Sequence, residues 1–186
     1  MINIRNINNL TKQRKRRGSF ITEFMGTWGL YALIGAIALA ALGVAYSVFR
    51  GTNETDNITR IYTATLPLKS AQGGYGNNTN LVPVLLTTDS IPKTMTVIDG
   101  QVFNSWDGPV RVQGVGRRFD IIYENVPEDQ CVRMIQTLSN AGAFSKIDVE
   151  GKSFEYNNPN VWPISPTDAN DACSGGNQTI TFTSMN

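Results

Sequence analysis

From Phe24 to Phe49 the chain runs 26 residues without one charged side chain, and the charges that precede this run are nearly all basic. Residues 1–18 carry Arg5, Lys12, Arg14, Lys15, Arg16 and Arg17 and no acid; the next charge is Glu23, and the run ends at Arg50. A helix needs about 20 apolar residues, each rising roughly 1.5 Å, to cross a bilayer, so this run is long enough. A basic flank on its N-terminal side keeps that end in the cytoplasm and sends the remainder outward. The globular part of the chain is therefore expected to be exported.

Three readings of this terminus compete. A secretory signal would be cut at small residues such as Ala38-Leu39-Ala40, yet the apolar run continues beyond them to Phe49 with no polar segment before the cut. A plain signal anchor fits the run, and the basic cluster by itself could be a nuclear address, which the adjoining span argues against. Neither accounts for Glu23. A carboxylate at the edge of an apolar helix is costly unless it meets a positive partner. It is the fifth residue of the chain that would begin at Ser19 after a cut behind Gly18.

The basic leader, Gly18, Ser19-Phe20-Ile21-Thr22-Glu23 and the apolar helix that follows resemble the prepilin-peptidase site of type IV pilins. The resemblance implies cytoplasmic cleavage after Gly18, methylation of the new amine on Ser19, and pairing of Glu23 with the N-terminus of a neighbouring subunit during assembly. An 18-residue leader and Ser19 in the first mature position are similar to the type IVb branch. The helix has no central proline, although Gly26, Gly29, Gly35 and Gly43 are weak points. GGYGN at Gly73–Asn77, IPKTM at Ile91–Met95, NSWDG at Asn104–Gly108 and FDIIYENVPEDQC at Phe119–Cys131 resemble thin-pilus pilins of conjugation systems and related enterobacterial pilins. The resemblance covers about residues 14–149 and fades in the part that varies most within the family. Asp107 departs from the expected second glycine of NSWDG, a change expected to affect a turn.

The resemblance and the periodicity together give three parts: a leader over 1–18, a spine helix over 19–71 whose 24–49 portion forms the membrane or filament core, and a head over 72–186. Ile58, Ile61, Tyr62 and Thr65 keep one apolar face at helical spacing, so the spine is expected to continue through Thr52 to Ser70. Gly73-Gly74 stops it, and Pro67 kinks it or ends it early. A helix of about 50 residues is roughly 80 Å long. Its outer half needs the head to cover its apolar face. The inner half is a bare apolar rod, soluble only in a membrane or in a bundle of its own copies, so polymerisation follows on physical grounds as well.

The head is expected to be α+β, with a mainly antiparallel sheet packed on helices and a disulfide-bounded C-terminal region. Val82–Thr87 reads as a short helix or a strand. Thr94–Ile98, Val110–Gln113, Phe119–Tyr123, Phe144–Val149 and Thr179–Ser184 read as strands, the last by alternation of Ile180 and Phe182 with Thr. Cys131, Met134, Ile135 and Leu138 at i, i+3, i+4 and i+7 mark an amphipathic helix over Glu128–Asn140, started near Pro127 and ended by Gly142. Cys173 falls in what reads as a loop before the last strand.

Composition narrows the chemistry. The chain has no His and two Cys among its 186 residues. Without imidazole, Ser-His-Asp and Cys-His catalysis are excluded, and two thiols alone close no ordinary structural zinc site. In an exported chain a lone pair of Cys most often forms a disulfide; the alternative is a buried thiol and an unrelated loop thiol. Bridging Cys131 and Cys173 closes a loop of about 43 residues, which stabilises by roughly 4 kcal/mol in the chain-entropy treatment. It would pin Asn157–Asn177, a segment rich in Asn, Pro, Asp and Gly that could hardly order itself by apolar burial alone. The resemblance gives the region from Cys131 to Cys173 subunit contacts and the variable outer surface.

Other candidates are weaker. Trp162 and Tyr156 could form a recognition surface, but an aromatic anchor for a loop is the stronger reading. Asp168 and Asp171 lack the ligand spacing of an EF-hand and read as solvated loop acids. Arg117-Arg118 is too short for a nucleic-acid patch and reads as a turn. The Asn-X-Thr triplets at Asn53, Asn57, Asn77 and Asn177 read as chance.

The expected function is that of a structural subunit, the major pilin of a type IVb pilus, without cofactor or metal and with no catalytic role. Implied partners are copies of itself, the prepilin peptidase, the inner-membrane assembly machinery and a recipient or host cell surface; no nucleic acid is implied. The expected location is the bacterial inner membrane before assembly and the extracellular pilus afterwards. A minor pilin, tip adhesin or type II secretion pseudopilin shares the entry signal, but a tip adhesin carries a larger C-terminal domain and this chain ends soon after Cys173.

Overall fold

Ile58, Ile61 and Thr65 recur one helical turn apart, and the chain is helical across 53–65 (α1) with all three buried. Burying each isoleucine contributes about 1.5–3 kcal/mol, which favours turning this face inward. Pro67 then ends the regular helix: Leu66–Leu68 is a single 3-10 turn, and the expected continuation to Ser70 does not occur. The computed structural model describes residues 53–185 and the single helical position Ala36. The chain divides into two compact units, Met1–Ser47 and Val48–Asn186. The leader, the 24–49 run apart from Ala36, Gly18, Ser19 and Glu23 lie outside the described residues. Among the described residues no helix is long and apolar enough to cross a membrane.

After α1 come β1 (Gly76–Asn80), α2 (Val82–Thr87), β2 (Thr96–Ile98), β3 (Gln101–Phe103), β4 (Pro109–Gly116), β5 (Arg118–Val126), α3 (Glu128–Asn140), β6 (Phe144–Val149), β7 (Lys152–Glu155), α4 (Pro166–Cys173) and β8 (Gln178–Ser184). The strands form one antiparallel sheet in the order β2-β3-β4-β5-β8-β6-β7, with β1 paired to β4. The last strand thus inserts between β5 and β6. Alternation decides the faces: Val110, Val112, Phe119, Ile121, Tyr123, Ile147, Val149, Ile180 and Phe182 are buried, while Arg111, Arg118, Thr181 and Lys146 between them are not. The expected α+β architecture is the one observed.

An aromatic cluster ties α1 to the sheet. Tyr62 lies 5.5 Å from Phe119 and 5.2 Å from Phe144, ring centre to ring centre. Tyr75 meets Phe119 edge-on at 4.9 Å, and its hydroxyl donates to the carbonyl of Leu66 at 3.2 Å. The amphipathic helix α3 spans the expected residues, with Glu128 and Asp129 in its first turn where the helix dipole favours acids, and Gly142 in the left-handed region just beyond its end.

Four elements were not expected. Strand β1 carries GNNTN, poor in strand formers, and is held by main-chain pairing across Gly114, where an added Cβ would meet the Tyr75 carbonyl oxygen at 2.0 Å. β3 has only three residues, and β7 buries only Phe154. The fourth is α4, in the stretch read as a loop.

Candidate functional site

Cys131 lies on the buried face of α3, and Cys173 is the last residue of α4 rather than a loop residue. Their sulfurs are bonded, with Cα atoms 5.8 Å apart, so the disulfide joins two packed helices. The segment it bounds orders itself more than its composition suggested. Trp162, Ile164, Ala169 and Ala172 are buried. Trp162 follows the anchoring reading, and exposed Tyr156 stands edge-on to it at 5.8 Å. The Ile164 amide donates to the Ser139 hydroxyl on α3 at 3.2 Å.

Asp168 is also no free loop acid. Ser165 caps α4: its hydroxyl accepts from the Asp168 amide at 3.2 Å and donates to the Asp168 carboxylate at 2.7 Å. The amide bond is the ordinary serine N-cap, and the acid three residues on pairs with the serine hydroxyl rather than with its backbone amide. At the other end Lys152 Nζ donates to the Asp171 carbonyl, holding β7 against the helix C-terminus. Among the described residues no three His, Cys, Asp or Glu side chains gather as metal ligands. Arg117 and Arg118 are exposed at the turn between β4 and β5, and Arg118 donates to the Ser145 hydroxyl at 3.4 Å.

A second site was missed by sequence reasoning altogether. Glu54 of α1 is fully buried. One of its carboxylate oxygens accepts from the Ser105 amide at 2.7 Å and from the Ser105 hydroxyl; the other accepts from Asn57 Nδ2 and from the Tyr123 hydroxyl, each at 3.2 Å. Every one of these donors is uncharged. Asn57 Oδ1 in turn accepts from the Thr94 hydroxyl at 2.6 Å. Burial holds the Tyr123 hydroxyl well above the usual tyrosine range, and the neighbouring Glu54 raises it further, so this group stays a donor. The signal was present as Glu54 in register with the buried Ile58–Ile61–Thr65 face and as the NSWDG turn, but nothing in either pattern links the two.

The Asn104–Gly108 turn that presents Ser105 is itself internally tied. Asn104 Oδ1 accepts from the Trp106 and Gly108 amides, each at 2.9 Å, and its Nδ2 donates to the Glu124 carbonyl at 2.8 Å. A Cβ on Gly108 would lie 1.8 Å from that same carbonyl oxygen, so only glycine fits. Asp107 sits at φ 58, in the left-handed region, where the expected glycine would be at ease and where aspartate is better tolerated than most residues. The departure therefore does fall in a turn.

A family model described as PilS N terminal matches residues 50–185. The chain belongs to the PilS N-terminal family. The match runs past Val149, where the resemblance was expected to fade, and takes in the disulfide, α4 and all of β8. This PilS-family chain has the fold of type IVb pilins. Its structure is similar to the crystal structure of a type IVb pilin from Salmonella typhi, with a TM-score of 0.58 at 22% identity over 70% of this chain and 97% of that one. It is also similar to TcpA, a type IV pilin from the Vibrio cholerae El Tor biotype, with a TM-score of 0.52 at 14% identity over 73% of this chain and 99% of that one. No curated protein matches the sequence.

Proposed function

We propose that this pilin is the major subunit of a type IVb pilus, made with a leader over 1–18, cut after Gly18 by a prepilin peptidase and held in the inner membrane by the 24–49 run until assembly. The observation that carries the reading is the combination, in one chain, of a PilS-family match over 50–185 with the upstream Gly18, Glu23 and chargeless run. An apolar helix of that length is stable in lipid or among its own copies, and moving from the first to the second is what polymerisation would do. The partners are then further copies of the chain, the peptidase, the assembly machinery at the inner membrane, and a recipient or host cell surface met by the outer part of the head. The extracellular filament would serve adhesion, aggregation or mating contact.

Intact mass spectrometry of sheared filaments tests this. The expected mass is that of a chain starting at Ser19 with one methyl group, and the filament should consist chiefly of it. A retained leader, an N-terminus near Ala41, or a trace of this chain in a fibre built from another subunit overturns the reading.

A further inference from the structure

We propose that the Asn104–Gly108 turn is a carboxylate receptor whose ligand is Glu54, and that this lock fixes which face of α1 lies on the sheet and makes the subunit competent to assemble. The second half of the proposal rests on the pilus-subunit reading; the first does not. Ser105 supplies an amide and a hydroxyl to one oxygen, while Tyr123 and Asn57 serve the other. A carboxylate accepts only, and its acceptor sites suit a pocket made entirely of donors. The turn is held independently of its ligand, since Asn104 closes it from within and Gly108 lets it press against the β5 backbone.

The lock supplies what the apolar contacts lack. Ile58 and Ile61 are held by packing, which is non-directional and tolerates rotation or sliding of a helix by small repacking. Buried hydrogen bonds to a fixed turn are directional, and a slipped helix would strand both the carboxylate and its donors in the core. A buried polar group retained for register rather than for net stability is the device seen in other helical assemblies. Asn57, one turn along the same helix face, extends the grip to Thr94 in the loop before β2. In a filament, force passing through a subunit would reach the head through this helix.

Hydrogen exchange on the detergent-solubilised full chain, with filament yield measured in parallel, tests both halves. In Glu54→Ala the amides of 53–65 are expected to exchange faster by about tenfold or more, with those of β4, β5 and β8 kept within about threefold of wild type. Glu54→Gln keeps the length and one oxygen for Ser105 but sets a donor amide against Asn57 Nδ2, so it is expected to recover only part of the protection, and recovery to the wild-type level overturns the carboxylate receptor. Unchanged exchange in α1, or equal acceleration of α1 and the strands, overturns the lock. Surface filaments are expected to fall by about tenfold or more in Glu54→Ala while processed, disulfide-bonded subunit in the membrane stays within about twofold. Normal filaments in that variant overturn the assembly role. Absence of filaments in the wild type overturns the pilus reading instead, and the exchange arm still decides the lock.

Discussion

Two acids among the described residues are held in opposite ways. Glu54 is buried among donors, whereas Asp120 on the outer face of β5 has a shielded Oδ1 with no hydrogen-bond partner. Desolvation raises the Asp120 carboxyl above the ordinary carboxylate range, against lowering by the Thr183 hydroxyl and the Lys146 charge. An acid raised on folding makes the native state the tighter proton binder. At low pH both states are protonated and nothing is lost. As pH rises the unfolded chain ionises first, and the penalty on the fold is complete once the pH has passed the raised native value. Asp120→Asn is therefore expected to stabilise the head at neutral pH by up to about 0.5 kcal/mol, since the group is partly solvated, and to leave stability at strongly acid pH unchanged. Urea denaturation at the two pH values checks this; equal gains at both would mean that charge is not the cause.

At the scale of elements, the disulfide is the clearest lever. The bridge closes a separation of 42 residues, and its loss through Cys173→Ser is expected to cost about 2–4 kcal/mol, read as a lower urea midpoint and a lower steady-state level of exported subunit. Exchange should rise first in 157–177, because α4 packs on α3 through small side chains, Ala169 and Ala172, and has little apolar area to replace the bridge. An unchanged midpoint would show that the caps at Ser165 and Asp171 suffice. The same smallness explains what was legible in the sequence. α3 announced itself through Met134, Ile135 and Leu138 on one stripe, and β8 through Ile180 and Phe182 between threonines. The apolar face of α4 consists of alanines and the cysteine, which carry almost no periodic hydropathy signal. β1 and β7 were hidden for a different reason: their ladders are main-chain bonds to neighbours whose side chains do the packing. The Glu54 receptor was illegible because its ends stand 51 residues apart and meet only when the sheet has formed.

For the whole molecule, the near-neutral balance of +1 hides unlike parts. Six of the 16 cations lie in the leader with no acid, so the chain from Ser19 onward holds 10 against 15 acids, a balance of −5. In the proposed route the peptidase would thus strip a basic cytoplasmic handle and leave an apolar run whose acid, Glu23, lies four residues along the chain from the newly made amine. Subunits with a negative balance repel at distance, and at salt near 0.15 M that repulsion fades beyond about 8 Å, so a short-range attraction at the rod decides entry. A carboxylate in lipid is costly, and in the proposed route an amine of a neighbouring copy would relieve the cost, so that pairing at Glu23 would be the favourable step of addition. Glu23→Val removes the cost in lipid as well as the partner for the amine. The variant is therefore expected to insert, to be cut after Gly18 at a rate within about threefold of wild type, and to accumulate in the membrane while surface filaments fall by about a hundredfold. Immunoblots of membrane and sheared fractions, beside electron microscopy of the cells, read the two quantities separately. Filaments at normal abundance would show that apolar packing of the rods alone drives addition, and an uncut precursor would move the role of Glu23 from assembly to processing.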